Sequence, residues 1–402
     1  MKTIMKKTKY NFRSQKIKEI IIFIFLILST IINNIFIMFK YNNDFIEIEK
    51  YTKNNMKGYI RFSRLKYRKI NTPKISIVIT VFNGEGYIRP VLCSIQNQNF
   101  LDLEIIIVDD FSKDNSVKLI KEIMKEEPRI ILLENHENKG TLYSKSRGVL
   151  HAKGKYVISL DHDNLYSSKY AFSLLYKEAE KNNLDLLGFS SIVSSIENQH
   201  LKVDKYINYV ETPIIKSPFI QKRFFKDKFR SCTFLCLYLI KTELYKKVLK
   251  ILGKEILNRN IDSHDDTIII FLLTKYANKL KHIKRILHLI FVWPIHKSQV
   301  LIFQYKNKMK LREKKKCKSI LTLIEVLFLF TENNIEDKNI ACIDFVDYFI
   351  KDNECNKSRD QNLIKEILRI STLFLNNEFV DIKYKNIINN FLREIKNNIF
   401  LI

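Results

Sequence analysis

The sequence predicts an α/β fold: a mostly parallel sheet flanked by helices, with an apolar segment ahead of it and a helical region behind it. Three observations lead there. Short β-branched runs are apolar at consecutive rather than alternate positions, helical stretches separate them, and the connections are only a few residues long. Ile75 to Thr80 is the first such run, introduced by Asn71-Thr-Pro73, where the proline pushes its predecessor out of helical geometry. A helix is expected from about Gly86 to Asn97, a second strand from Leu103 to Val108, and a helix from Ser116 to Glu126 opened by Asp114. Arg129 to Leu133, Thr141 to His151 and Lys155 to Leu160 continue as strand, helix and strand. A helix from Tyr170 to Asn182 and a strand from Leu184 to Phe189 complete the regular pattern. Beyond them come a basic, less regular region, the stretch Ser231 to Ile240, a helix from Thr242 and another from His264 to Tyr276. From about Val300 the chain turns lysine-rich and amphipathic, with helical repeats and no strand alternation. The expected divisions are a tail at 1–19, an anchor at 20–39, a basic stem at 40–73, the main domain at 74–298 and a helical region at 299–402.

Composition narrows the function classes. The 402 residues carry 69 Lys+Arg against 43 Asp+Glu, a net charge of +26. At 46% hydrophobic the chain is not disordered, and 8 Gly with 6 Pro exclude collagen-like and linker compositions. The basic excess is spread over an Ile-, Lys- and Asn-rich chain rather than gathered in a patch, so no nucleic acid is expected as a partner. Six scattered cysteines without a CxxC pair neither make a zinc site nor prove a disulfide framework, and they leave the redox compartment open.

Ile20 to Phe39 is an uncharged 20-residue stretch interrupted only by Ser29, Thr30, Asn33 and Asn34. As a helix it reaches roughly 30 Å, the thickness of a bilayer's hydrocarbon core. The apolar run resumes after the asparagines and no small-residue cleavage site follows, which favours an uncleaved anchor over a signal peptide. Seven Lys or Arg precede it against Glu19, so the positive-inside bias puts the N-terminus on the cytoplasmic side, a type II arrangement.

In open parallel sheets ligands bind at the carboxyl ends of the strands, and there the acids gather. The first strand runs into Thr80, Phe82, Gly84 and Gly86. A dinucleotide fingerprint is excluded, because Arg89 stands where the third glycine belongs. The second strand ends in Asp109 and Asp110, adjacent carboxylates of which only one can face a cleft, while Asp114 is expected to cap the next helix. Asp110 is the candidate to read a nucleobase N–H. The fourth strand ends in Asp161, His162, Asp163 and Asn164. Carboxylates at i and i+2 can hold a ribose hydroxyl and a hard cation, magnesium or manganese, with positions left for phosphate oxygens.

Taken in order and spacing, Ile75 to Asn83, Ser94 to Gln98, Glu104 to Ser112, Asn138 to Gly140, Ala152 to Tyr156 and Leu160 to Asp163 resemble the family-2 inverting glycosyltransferases of the GT-A fold. The likeness is best over 74–190 and continues more loosely to about 298. Tyr59 to Phe62 and Gly140 to Lys145 look most like members from unicellular eukaryotes. The resemblance implies that Thr80, Phe82 and Asp110 bind uracil and ribose, with Asp161 nearby, and that Asp163 binds Mn2+ or Mg2+ at the diphosphate. It also implies a base in an acidic pair at a later helix start, here Asp265 and Asp266, with Asp266 preferred. Asn164 departs from the family, which often has a third acid there, and His162 is equally a spacer or a ligand. The function implied is transfer from a nucleotide-sugar donor, a UDP-sugar, to a glycan, glycolipid or protein acceptor in the lumen of the ER or Golgi. An inactive, scaffold-like relative of such enzymes is the alternative.

Overall fold

A computed structural model describes residues 48, 50–54, 70–197, 200–207, 210–221, 234–261, 265–291, 319–330 and 361–399. The expected anchor at 20–39, most of the stem, Ser263 and His264 lie outside the described residues. Among the described residues no helix is long and apolar enough to cross a membrane. Residues 1–54 and 55–402 form two compact units. In the first, residues 50–54 are helical and the Thr52 hydroxyl donates to the Ile48 carbonyl at 2.8 Å.

The β-branched runs form strands where expected. These are β1 (Ile75–Val81), β2 (Leu103–Asp109), β3 (Ile130–Glu134) and β4 (Tyr156–Asp161), the first two buried along their whole length. Helices α1 (Ile88–Gln96), α2 (Ser116–Met124), α3 (Thr141–His151) and α4 (Ala171–Asn182) alternate with them. The chain continues through β5 (Asn164–Tyr166), β6 (Leu186–Glu197), β7 (His200–Ile207) and β8 (Ile215–Lys216). A 3₁₀ turn (Leu235–Leu237), β9 (Tyr238–Lys241), α5 (Thr242–Leu257), α6 (Asp265–Tyr276) and β10 (Lys279–Phe291) follow. Helices α7 (residues 319–330), α8 (Gln361–Leu375) and α9 (Ile382–Ile399) end the described chain.

The strands lie in the order β3-β2-β1-β4-β9-β6-β10-β5, with β7 on β6 and β8 on β10. The run β3-β2-β1-β4 is parallel throughout, as is the pair β6 and β10, while β9 lies antiparallel between β4 and β6. From β1 the chain winds one way through β2 and β3, then returns to β1's other side as β4. The crevice beyond the carboxyl ends of β1 and β4 is therefore a topological switch point.

Several of the quoted motifs hold this frame together. Buried Glu104 on β2 accepts from the Ser76 hydroxyl at 2.6 Å and the Lys153 amide at 2.6 Å, which fastens the turn before β4. The Gln98 amide donates to the Ser94 and Ser168 carbonyls at 3.0 and 2.8 Å, tying the end of α1 to the turn before α4. Helix α3 lies close against β1 because residue 148 is glycine. A Cβ there would come within 2.4 Å of the Val78 side chain. Cys93 and Cys236 are buried free thiols.

In the second half of the sheet His282 and His288 are buried on β10. Burial pushes both imidazoles down to about 4, although the Asp161 charge pulls His288 slightly the other way. Their pKa in the folded chain lies below the unfolded value of about 6.5. Their contribution to stability is thus complete above about 6.5 and is lost as pH falls towards 4. The melting temperature should decline over that window, and His288→Gln should flatten the decline when melting is followed by circular dichroism.

Candidate active site

The switch point brings Thr80 and Asp161 side by side as register partners at the ends of β1 and β4. His162 turns back over β1, its Nδ1 donating to the Thr80 carbonyl at 3.2 Å. The ring needs a glycine beneath it, since a Cβ on Gly84 would stand 2.7 Å from His162 Cδ2. His162 is thereby a wedge between two strand ends. Asp163 is half-buried next to it, and Asn164 is buried as the first residue of β5, paired with Ile290 of β10.

The loops after β1 and β2 are laced together. The Asn83 amide donates to Ser112 Oγ at 2.9 Å, the Lys113 amide to Asn83 Oδ1 at 2.8 Å, and the Glu85 amide to Asp114 Oδ2 at 3.0 Å. Asp114 also accepts from the Ser116 amide at 3.0 Å, although the N-cap residue of α2 is Asn115, so Asp114 ties the loop at the helix entry rather than capping it. Asn83 and Phe111 adopt positive φ, 52° and 68°. Backbone strain of this kind collects at functional sites. Phe82 and Phe111 stay exposed at 45% and 38%, large aromatic faces at adjacent strand ends.

Both acids at the end of β2 are buried, and each accepts hydrogen bonds from loop groups. Asp110 Oδ1 accepts from Asn135 Nδ2 and the Lys139 amide, both at 2.8 Å, and Oδ2 from the Gly140 amide at 2.9 Å. Its carboxylate thus builds the turn that starts α3. Asp109 accepts from the Ser112 amide through Oδ2 at 3.0 Å, and its Oδ1 is buried without a hydrogen-bond partner. The unspent acceptor at this strand end sits on Asp109, next in sequence to the residue singled out.

The centre of the site is a side chain that sequence reasoning quoted only as the end of a motif. Lys145 projects from α3 with 7% of its side chain exposed. Its ammonium donates to Asp266 Oδ1 at 2.7 Å and Asp265 Oδ2 at 3.0 Å, and lies 3.4 Å from Asp161 Oδ1. Leu142, Lys145, Ser146 and Val149 share the buried face of α3. That is the available signal: a lysine on a buried helical stripe requires carboxylate partners. Burial lowers the pKa of the ammonium, but Asp161, Asp265 and Asp266 outweigh it and hold Lys145 well above the ordinary lysine value.

Asp265 and Asp266 occupy the first turn of α6, where the helix dipole favours negative charge. The Leu235 amide of the 3₁₀ turn donates to Asp266 Oδ2 at 2.9 Å, so Asp266 is oriented from both sides. Burial pushes Asp266 up, the neighbouring Asp265 and Asp161 charges add to it, and Lys145 opposes them, leaving it at about 7. For Asp161 burial is outweighed by Lys145, which holds it below the ordinary carboxylate value. Asp163 is pushed up by burial and by the Asp161 charge. Thr80, Asp161, Asp265 and Asp266 thus come together with Lys145 and Asp163 at the switch point, while Asp110 is committed to its loop.

Replacing Lys145 by methionine leaves several carboxylates facing one another without their cation. Lys145→Met should destabilise the fold by about 3–5 kcal/mol, the usual cost of stripping one partner from a buried ion cluster, while Lys145→Arg should retain most of it. Urea unfolding of the three proteins checks this.

Residues 76–244 match the family described as Glycosyl transferase family 2. A GalNAc(5)-diNAcBac-PP-undecaprenol beta-1,3-glucosyltransferase of Campylobacter jejuni is 34% identical over 109 residues, 27% of this chain and 35% of that protein. An uncharacterized glycosyltransferase of Methanocaldococcus jannaschii is 32% identical over 166 residues, 40% of this chain and 53% of that protein. The chain spans about a third to a half of the length of these relatives. Both are prokaryotic, which lends no support to the expected likeness to members from unicellular eukaryotes. Among solved structures, S. aureus TarS 1–349 in complex with UDP-GlcNAc superposes with a TM-score of 0.54 at 13% identity, covering 78% of this chain and 83% of that one. At that identity the likeness shows the fold, an α/β architecture of GT-A type. The matches support a family-2 glycosyltransferase domain over residues 76–244.

Proposed function

We propose that the chain transfers a sugar from a UDP-sugar to an acceptor hydroxyl, with inversion at the anomeric carbon. The observation that carries this reading is the gathering of Asp161, Asp265 and Asp266 on the Lys145 ammonium at the carboxyl end of β4. Phe82 and Thr80 offer an aromatic face and a polar side chain for a uracil and ribose, and Asp110 acts through the loop it holds.

A divalent cation, Mn2+ or Mg2+, fits at Asp163. That carboxylate is raised by burial and by the Asp161 charge, a situation that a cation relieves. Among the described residues no three His, Cys, Asp or Glu side chains group to hold a metal, and Asp163 is the carboxylate that would hold the ion. When bound, the ion supplies positive charge at the diphosphate leaving group. Lys145 holds Asp161 and the acidic pair in place beside that site.

Asp266 is the proposed base. Its orientation by Lys145 and Leu235 fixes the carboxylate, and a value near 7 suits a group that must take a proton from a hydroxyl at neutral pH. Direct displacement then needs no covalent intermediate. The proposal includes an anchor at residues 20–39 with the bulk of the chain across the membrane from its N-terminus, in the ER or Golgi lumen. The acceptor, a glycan, glycolipid or protein, is left open.

Calorimetry with UDP and Mn2+, followed by a screen of UDP-sugars for turnover, tests the reading; binding without turnover would point to the inactive scaffold. Asp266→Asn should leave UDP binding intact and lower turnover by about 10²–10⁴, with a smaller loss for Asp265→Asn. Because the base must be ionised, wild-type turnover should fall as pH drops through about 7. Asp163→Ala should abolish the manganese dependence of UDP affinity. Protease added to sealed vesicles should spare the bulk of the chain.

A further inference from the structure

Helix α7, residues 319–330, is buried at every position from 319 to 328, which includes one acid. That acid is Glu325, with 7% of its side chain exposed. A lone carboxylate there would be costly, and two guanidinium groups offset the cost. Arg259 Nη1 and Arg369 Nη2 both donate to Glu325 Oε2 at 2.6 Å. Arg369 belongs to α8 and is half-exposed, whereas Arg259 stands just after α5 in the segment that leads to the acidic pair.

That segment is held at further points. Asn260 Nδ2 donates to the Asn138 carbonyl at 2.9 Å, and the Ile261 carbonyl accepts from Thr141 Oγ1 at 3.1 Å and the Leu142 amide at 3.3 Å. At the far end of α6, Lys275 Nζ donates to the Phe330 carbonyl at 2.5 Å. Helix α7 therefore touches the approach to α6 through Glu325 and the exit of α6 through Phe330. Between those points α6 is buried from Ile268 to Thr274, on all its faces, which for a helix means cover on every side.

We infer that Glu325 is a positioning residue: the Arg259–Glu325–Arg369 bridge makes the C-terminal helices part of the active unit by fixing the segment that delivers Asp265 and Asp266. The inference rests on the reading of Asp266 as the base. A displacement of about 1 Å at such a group can cost up to 10²-fold in rate, so a contact remote from the donor can govern turnover.

The test uses the full-length protein with Glu325→Gln, Glu325→Asp and, in case the first fails to fold, Arg369→Met. Hydrogen exchange should speed up about tenfold for amides of 258–276 in Glu325→Gln while β1 to β4 keep their protection. Turnover per UDP-binding site, counted by calorimetry, should fall about tenfold with KM for the donor unchanged, and Glu325→Asp should restore part of it. Unchanged local exchange overturns the inference, as does normal turnover per site in a variant whose segment has loosened. If wild type turns over no UDP-sugar, the proposed function fails, and the exchange result still decides whether Glu325 holds the segment.

Discussion

An ammonium group removed from water has to be surrounded by negative partners, and Lys145 sets that condition at the point where the two halves of the sheet meet. Moving an ion into the interior costs several kcal/mol, and only close carboxylates with good geometry offset it. The arrangement of neighbouring elements meets that demand. Helix α3 must lie near β1, which Gly148 permits. Strand β4 must end level with β1, a register fastened by Glu104 through the turn at Lys153. The first turn of α6 must reach α3 from over a hundred residues further along the chain, with Asp265 and Asp266 supplying its charges. The cluster that makes the chemistry plausible is the same cluster that joins β4, α3 and α6.

Because the cluster holds more acids than bases, it retains negative charge after Lys145 is satisfied. Asp163 bears the consequence, since Asp161 beside it is held in its charged form. Such a site favours a second cation over a neutral ligand. The motif residues around it divide by role: Glu104, Gln98, Asp110 and Asp114 spend their polar atoms on loops and turns, while Asp161, Asp163, Asp265 and Asp266 line the crevice region.

The first half of the fold was legible because its strands are unbroken β-branched runs and its helices are short, punctuated and local. Ile75–Val81 and Thr141–His151 lie where the residue pattern puts them, within a position at the ends. Strand β10 was not legible. Lys279, Lys281, Lys284 and Arg285 interrupt its apolar residues, so it has neither the buried run nor a clean alternation. The insertion of β9 between β4 and β6 follows from tertiary pairing, on which local sequence is silent. Of the site, the acids at strand ends and at the start of α6 could be found from position and type. Lys145 could have been found from its place on a buried stripe, but its three partners lie on distant elements. Glu325 was hidden because its two arginines are brought to it only by the fold.

The antiparallel placement of β9 also constrains the order in which the molecule can assemble. Strands β1, β2 and β3 pair with their neighbours in sequence, whereas β4 reaches β1 only after β2, β3 and three helices. The gap between β4 and β6 closes only when Tyr238–Lys241 arrives, and β5 waits for β10, with Asn164 meeting Ile290. Such long-range pairings are slow, since loop closure precedes any reward. During that interval Lys145 has none of its α6 partners and stays solvated at the edge of a half-formed sheet. The catalytic constellation is therefore complete only once the first turn of α6 has docked against α3.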